Sequence, residues 1–117
     1  MAKHNTVYSI DLPGHGKSEC LGYIHSMVDM AGCVKKILDD NNKRKAVIVG
    51  HSLGGYVALA FGDKYPDALK GLCLFNSTAK PDTEEKVKFR NRAIQVVKRN
   101  HEMFIKEAIP NLFVTKN

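Results

Sequence analysis

Apolar residues along this chain change their spacing several times, and each change marks a different element. Thr6–Asp11 is a short β-rich run that stops at the turn pair Pro13-Gly14, and Leu12–Ser18 reads as loop. Ile24, Val28, Ala31, Val34 and Leu38 then fall four, three, three and four apart, which predicts a helix. Asp39-Asp40-Asn41-Asn42 ends that stripe, and Lys43-Arg44-Lys45 is an exposed link. Ala46–Val49 is apolar at every position, as expected for a strand buried on both faces of a parallel sheet. Leu53–Lys64 reads as a second helix, stopped by Tyr65-Pro66 because the residue before a proline disfavours helix. Leu72–Phe75 is a third buried strand.

The order is β-α-β-α-β, with continuous apolar strands and amphipathic crossovers. That order predicts an α/β parallel sheet with right-handed connections. The character changes after Asn76. Ser77–Pro81 is loop, and Asp82 with Glu85 forms a capping pair for a further helix. Val87, Ile94, Val97, Phe104, Ile105 and Ala108 form its stripe, with a break expected near Asn100. No strand is expected after that point. The chain therefore reads as two segments, a sheet-bearing 1–79 and a helical 80–117.

Composition narrows the picture little. A chain of 117 residues, 44% of them apolar, is a single globular domain rather than a disordered or fibrous chain. Cys20, Cys33 and Cys73 are odd in number and widely spaced, which argues against a disulfide framework or thiolate metal site. Three free, buried thiols in a reducing, cytoplasmic setting are the expectation. No apolar run is long enough to cross a membrane and no leader-like apolar segment opens the chain, so no membrane partner is expected.

The net charge of +6 raises nucleic acid as a partner. Residues 80–117 carry nine Lys/Arg against five Asp/Glu, interleaved with apolar residues along a helix. That pattern describes a solvated helix face better than a phosphate-binding patch, and no nucleic-acid partner is expected.

The chemistry lies in Val47–Gly55. Gly50-x-Ser52-x-Gly54 follows a strand directly and precedes a helix directly. A serine on so sharp a turn sits in a strained backbone conformation with its hydroxyl projecting past the sheet edge. Gly50 and Gly54 are expected to pack against each other's backbones where strand and helix pass closely. The helix N-terminus directs its amides toward a reacting carbonyl, with the Leu53 N–H as one donor to an oxyanion. Two competing motifs fail. A phosphate-binding loop ending at Gly16-Lys17-Ser18 needs glycine where Asp11 stands, and a dinucleotide motif from Gly50 needs glycine where Ser52 stands.

Val7–Ser18, with its Asp11-Leu-Pro-Gly-His-Gly-Lys-Ser18 loop, resembles the strand and loop upstream of the nucleophile in α/β-hydrolases. Gly50-His-Ser-Leu-Gly-Gly55 resembles their nucleophile elbow, and Gly71–Phe75 a later strand of their sheet. The resemblance spans roughly residues 6–79. It implies a partial α/β-hydrolase core over 1–79 and the start of a helical lid over 80–117. It assigns Ser52 as the catalytic nucleophile, Leu53 as half of the oxyanion hole, and Gly50, Gly54 and Gly55 as structural residues of the elbow. Asp11, Gly14 and Gly16 map to a structural loop near the site.

The family's upstream oxyanion strand and its catalytic acid and base match nothing in this sequence. In the family that strand lies between the Val7 and Val47 strands, so a gap at the centre of the sheet is expected unless those two pair directly. His101 is the only histidine after Ser52, and it reads as a residue of a helix face. Asp63, Asp67 and Asp82 read as helix-end, turn and cap residues. His51 adjoins Ser52 but points away across the turn, and His15 on the glycine loop is a second site-adjacent candidate. The expected activity is hydrolysis of a carboxylic ester or related small acyl substrate through an acyl-enzyme, with no cofactor and no metal. A catalytically inactive binding module that keeps the scaffold is the alternative. Unpaired strand edges predict self-association of the chain.

Overall fold

The computed structural model describes residues 3–110. The chain divides into two compact units, Met1–Ala79 and Lys80–Asn117.

The first unit opens with a loop that braces itself. The Asp11 carboxylate accepts the Lys17 amide at 3.0 Å, and the Ser18 hydroxyl donates to the Asp11 carbonyl at 2.7 Å. Gly16, at φ 53°, has no room for a side chain because the Asp11 carboxyl occupies that space. Helix α1, Met27–Asp40, begins later than the stripe predicts. Ser26 caps it, accepting the Asp29 amide at 3.1 Å while the Asp29 carboxylate accepts the Ser26 amide, also at 3.1 Å. Spacing alone cannot locate such a capping box, so Ile24 falls outside the helix and is 84% exposed. The end of α1 falls where the sequence places it, with Asn41 as C-cap and Asn42 in a left-handed conformation at φ 55°.

Strand β1, Ala46–His51, leads into α2, Leu53–Lys64, and a 3-10 turn, Pro66–Ala68, feeds β2, Leu69–Phe75. The two strands form a parallel two-stranded sheet. Helix α1 packs on α2, and α2 packs on both strands. Met30, Ala31, Val34 and Leu38 of α1 meet Val57 and Phe61 of α2 and Ala68 of the turn in one apolar cluster. Phe61 is 0% exposed, and its ring lies 5.4 Å from that of Tyr65. Burying a side chain of that size contributes about 1.5–3 kcal/mol.

Three sequence expectations change here. Residues 6–12 belong to no strand, although Ile10 and Leu12 pack against the core. A strand exists through its ladder partner, and the neighbour that the family resemblance puts between this segment and β1 matches nothing in this sequence. The two remaining strands are also not buried on both faces. Ala46, Ile48 and Gly50 turn inward, whereas Val47 is 57% exposed and Phe75 59% exposed on the uncovered side. No described residue of the first unit covers that face. For the same reason Cys73 is exposed; Cys20 is exposed and Cys33 half-buried, so the three free thiols are not the core residues expected of them.

The second unit holds α3, Glu84–Arg99, and α4, His101–Ala108, which touch each other across a break at Asn100. Asn100 ends one helix and caps the next, its side chain accepting the Met103 amide at 3.0 Å. The break falls where the sequence places it. The cap of α3 does not. Thr83, rather than Asp82, accepts the Lys86 amide, at 3.4 Å. The Asp82 carboxylate instead pairs with the Arg90 guanidinium, 2.6 Å away. Neither helix has a buried residue. Residues 111–117 of the expected helical segment lie outside the described residues.

Candidate active site

Ser52 stands between the last residue of β1 and the first of α2, at φ 50° and ψ −115°. A non-glycine residue there is strained by about 1–3 kcal/mol and persists only where its surroundings hold it. Those surroundings are identifiable. The Ser52 amide donates to the Phe75 carbonyl at 3.1 Å, which extends the parallel ladder one residue past β1. The Ser52 carbonyl accepts the Gly55 amide at 3.0 Å and the Ser77 hydroxyl at 2.9 Å. Three hydrogen bonds thus hold the backbone of one residue from the strand side, the helix side and the loop after β2.

The glycines around the turn divide differently from the symmetric packing expected of Gly50 and Gly54. A side chain at Gly50 would strike the Gly54 carbonyl and come within 2.7 Å of the Gly55 Cα. Gly55 is equally constrained, because Ser77 fills the space its side chain would take. Gly54, by contrast, faces open space. Gly50 therefore packs against the backbone of Gly54 and Gly55, as expected, while the positions that cannot accept a side chain are Gly50 and Gly55.

Ser52 is exposed, and it occupies the N-cap position of α2 without using its side chain as a cap. A serine there ordinarily turns its oxygen back onto the helix amides. The positive φ carries this hydroxyl out of that arrangement. The first amides of α2, beginning with Leu53, have no intrahelical acceptor and lie at the positive end of the helix dipole. A hydroxyl and an adjacent amide at one strand–helix junction are what an acyl-transfer site needs at its centre.

The candidate histidines are placed elsewhere. His51 ends β1 with its ring tilted 43° against Phe75, 5.5 Å between centroids. His15 bonds through Nδ1 to the Pro13 carbonyl at 3.1 Å, within its own loop. His25 Nε2 accepts the Leu21 amide at 2.9 Å, and His101 is an exposed residue that opens α4. Among the described residues none of these rings hydrogen-bonds to Ser52, and no group of three or more His, Cys, Asp or Glu could hold a metal ion. Ser77 was not legible as a site residue. The signal available for it was the shared C-terminal end of two parallel strands, which puts the residues after Phe75 beside Ser52.

A family described as alpha/beta hydrolase fold matches residues 1–115. The chain belongs to that family. Among solved structures it is similar to a thermophilic esterase from Thermogutta terrifontis (malate bound), with 38% identity and a TM-score of 0.73, over 85% of this chain and 37% of that one. It is 33% identical to the abhydrolase domain-containing protein abhd-5.2 of Caenorhabditis elegans over 63% of this chain. It is also 38% identical, over 58% of its length, to a 2-hydroxy-6-oxononadienedioate/2-hydroxy-6-oxononatrienedioate hydrolase of Paraburkholderia phymatum. The chain spans 18% of the nematode protein and 24% of the bacterial one. Its two-stranded parallel unit is part of the alpha/beta hydrolase fold that those relatives share.

Proposed function

We propose that Ser52 is the nucleophile of a serine hydrolase that opens carboxylic esters or related acyl compounds through an acyl-enzyme. The observation that carries this reading is the strained, exposed Ser52 at φ 50°, with its side chain withheld from capping α2. Its hydroxyl oxygen would attack the acyl carbon, and the developing oxyanion would lie against the Leu53 amide. The leaving alcohol takes up the proton that Ser52 gives to a base, and water then releases the acid. Gly50 and Gly55 position the turn, and Ser77 holds the Ser52 carbonyl so that the hydroxyl can point outward. Helices α3 and α4 belong, in this reading, to the start of a lid. Base and acid would come from the larger share of the hydrolase fold that this chain does not span. The three free cysteines fit a reducing, cytoplasmic setting.

A second reading, a binding module without catalysis, is favoured by the absence of a histidine hydrogen bond to Ser52 among the described residues. Turnover of p-nitrophenyl acetate by the chain and its Ser52→Ala variant separates the two. Slow p-nitrophenolate release that disappears with Ser52 supports the nucleophile; release indifferent to Ser52 favours the binding module. A rate typical of an esterase would put a working base within this chain, and His101→Ala and His15→Ala would locate it.

A further inference from the structure

We infer that Ser77 is a positioning residue of the reaction: by holding the Ser52 carbonyl it aims the Leu53 N–H, the oxyanion donor. This deepens, and rests on, the reading of Ser52 as nucleophile. The Ser52 carbonyl and the Leu53 N–H belong to one peptide unit, which is planar and trans, so the two point in opposite directions. Whatever fixes the carbonyl therefore fixes the donor. That carbonyl oxygen accepts the Gly55 amide at 3.0 Å from within the turn, and the Ser77 hydroxyl at 2.9 Å from a residue 25 positions away. A plane held by one bond can still swing about it. A second bond from another direction stops the swing.

The plane needs holding, because local preference opposes its setting. A non-glycine residue at positive φ favours ψ near about +47°, whereas Ser52 combines φ 50° with ψ −115°. Relaxing to the preferred value would turn the Ser52–Leu53 peptide by roughly 160° and put a carbonyl oxygen where the donor belongs. An acceptor facing a developing oxyanion repels it. Both bonds to the carbonyl would be lost in that flip, and Ser77 supplies the one that the turn itself does not. A hydrogen bond on the carbonyl also polarises the same amide and strengthens it as a donor. Three features bring Ser77 to this place. Asn76 turns the chain after β2 at φ 46°, and the Phe75 carbonyl accepts the Ser52 amide at 3.1 Å. Gly55, lacking a side chain, leaves the space that Ser77 fills.

The test compares two substitutions of equal shape in the full chain, Ser77→Thr with a hydroxyl and Ser77→Val without one. Ser77→Thr should keep the Ser52-dependent release from p-nitrophenyl acetate. Ser77→Val should lower its kcat by about tenfold or more at unchanged KM, since a whole oxyanion donor is worth about a hundredfold or more. Ser77→Ala, which adds no atoms, should behave as Ser77→Val does. Nuclear magnetic resonance of an isotope-labelled chain reads the plane without any activity. Without the hydroxyl, the Ser52 carbonyl carbon should move upfield, and the Leu53 amide–Hα coupling should change as its φ follows the flip. With threonine neither should move. The inference is overturned by equal release from the Ser77→Thr and Ser77→Val variants, or by a Ser52 carbonyl resonance indifferent to the hydroxyl. Release that Ser52→Ala leaves intact overturns the nucleophile reading instead, and the resonances still decide whether Ser77 holds the plane.

Discussion

The two units of this chain bury their apolar residues to opposite degrees. In the first, Phe61, Ala31 and Ala58 are almost wholly removed from water, and α2 is held between α1 and the strands. In the second, α3 and α4 have amphipathic stripes, that of α3 interrupted by Lys86 and Arg90, and side-chain caps, yet no residue is buried. Local signals are as good in the second unit as in the first. What differs is a partner for the apolar face, and most helical stability in proteins comes from such packing rather than from propensity.

Phe61→Ala tests that difference most severely. It should cost about 3–5 kcal/mol, enough to unfold a first unit with so small a core, while α3 keeps whatever helicity it had. Residue-resolved amide exchange would show it, and equal loss in both units would mean they fold as one. We also propose that copies of the chain associate through the open edges of the β1–β2 sheet, since two-stranded sheets are marginal and their edges pair readily. Sedimentation at micromolar concentration should show association. A monodisperse monomer with a cooperative melt would break the proposal.

Gly50 and Gly54 sharpen the comparison within the first unit. Gly50→Ala should lower stability by about 1–3 kcal/mol in urea melts, because the added methyl meets the Gly54 carbonyl. Gly54→Ala should be neutral or stabilising by up to about 1 kcal/mol, because its methyl meets nothing and alanine favours helix. Equal losses would show that the turn needs both glycines. In the second unit, Thr83→Ala should cost α3 about 1 kcal/mol of helix stability and leave Ser52 unmoved in chemical-shift spectra.

The smallest effect is at α1. The hydrogen bonds from Ser26 hold the Asp29 carboxyl below its ordinary value of 3.8. A folded-state value below the unfolded one means that the contribution is present above the ordinary carboxylate range and lost as pH falls through the lowered value. Acid titration should therefore fray the first turn of α1 in the parent chain. Ser26→Ala should flatten that step at low pH, and an unchanged titration would remove the capping box from the account.

Much of this molecule was legible one segment at a time. Leu53–Lys64 has the bounds read from its sequence, Asn100 breaks the tail where expected, and the strand–serine–helix order is visible in Gly50–Gly55. These are local matters, decided by periodicity, prolines and turn residues within a few positions. What the sequence could not decide concerned neighbours. Thr6–Asp11 has strand-forming residues, but a strand is a relation between two segments and this one has no ladder partner. Val47, Val49 and Phe75 have the composition of buried strand residues and stand in water, because burial depends on what covers a face. Gly54 looks as constrained as Gly50, yet only the tertiary arrangement, with Ser77 against Gly55, shows which glycines the close approach requires. The sequence by itself determined the elements and the position of Ser52 between two of them. The tertiary structure alone decided which of those elements acquire partners, because hydrogen-bond ladders and apolar burial act between residues far apart in the chain.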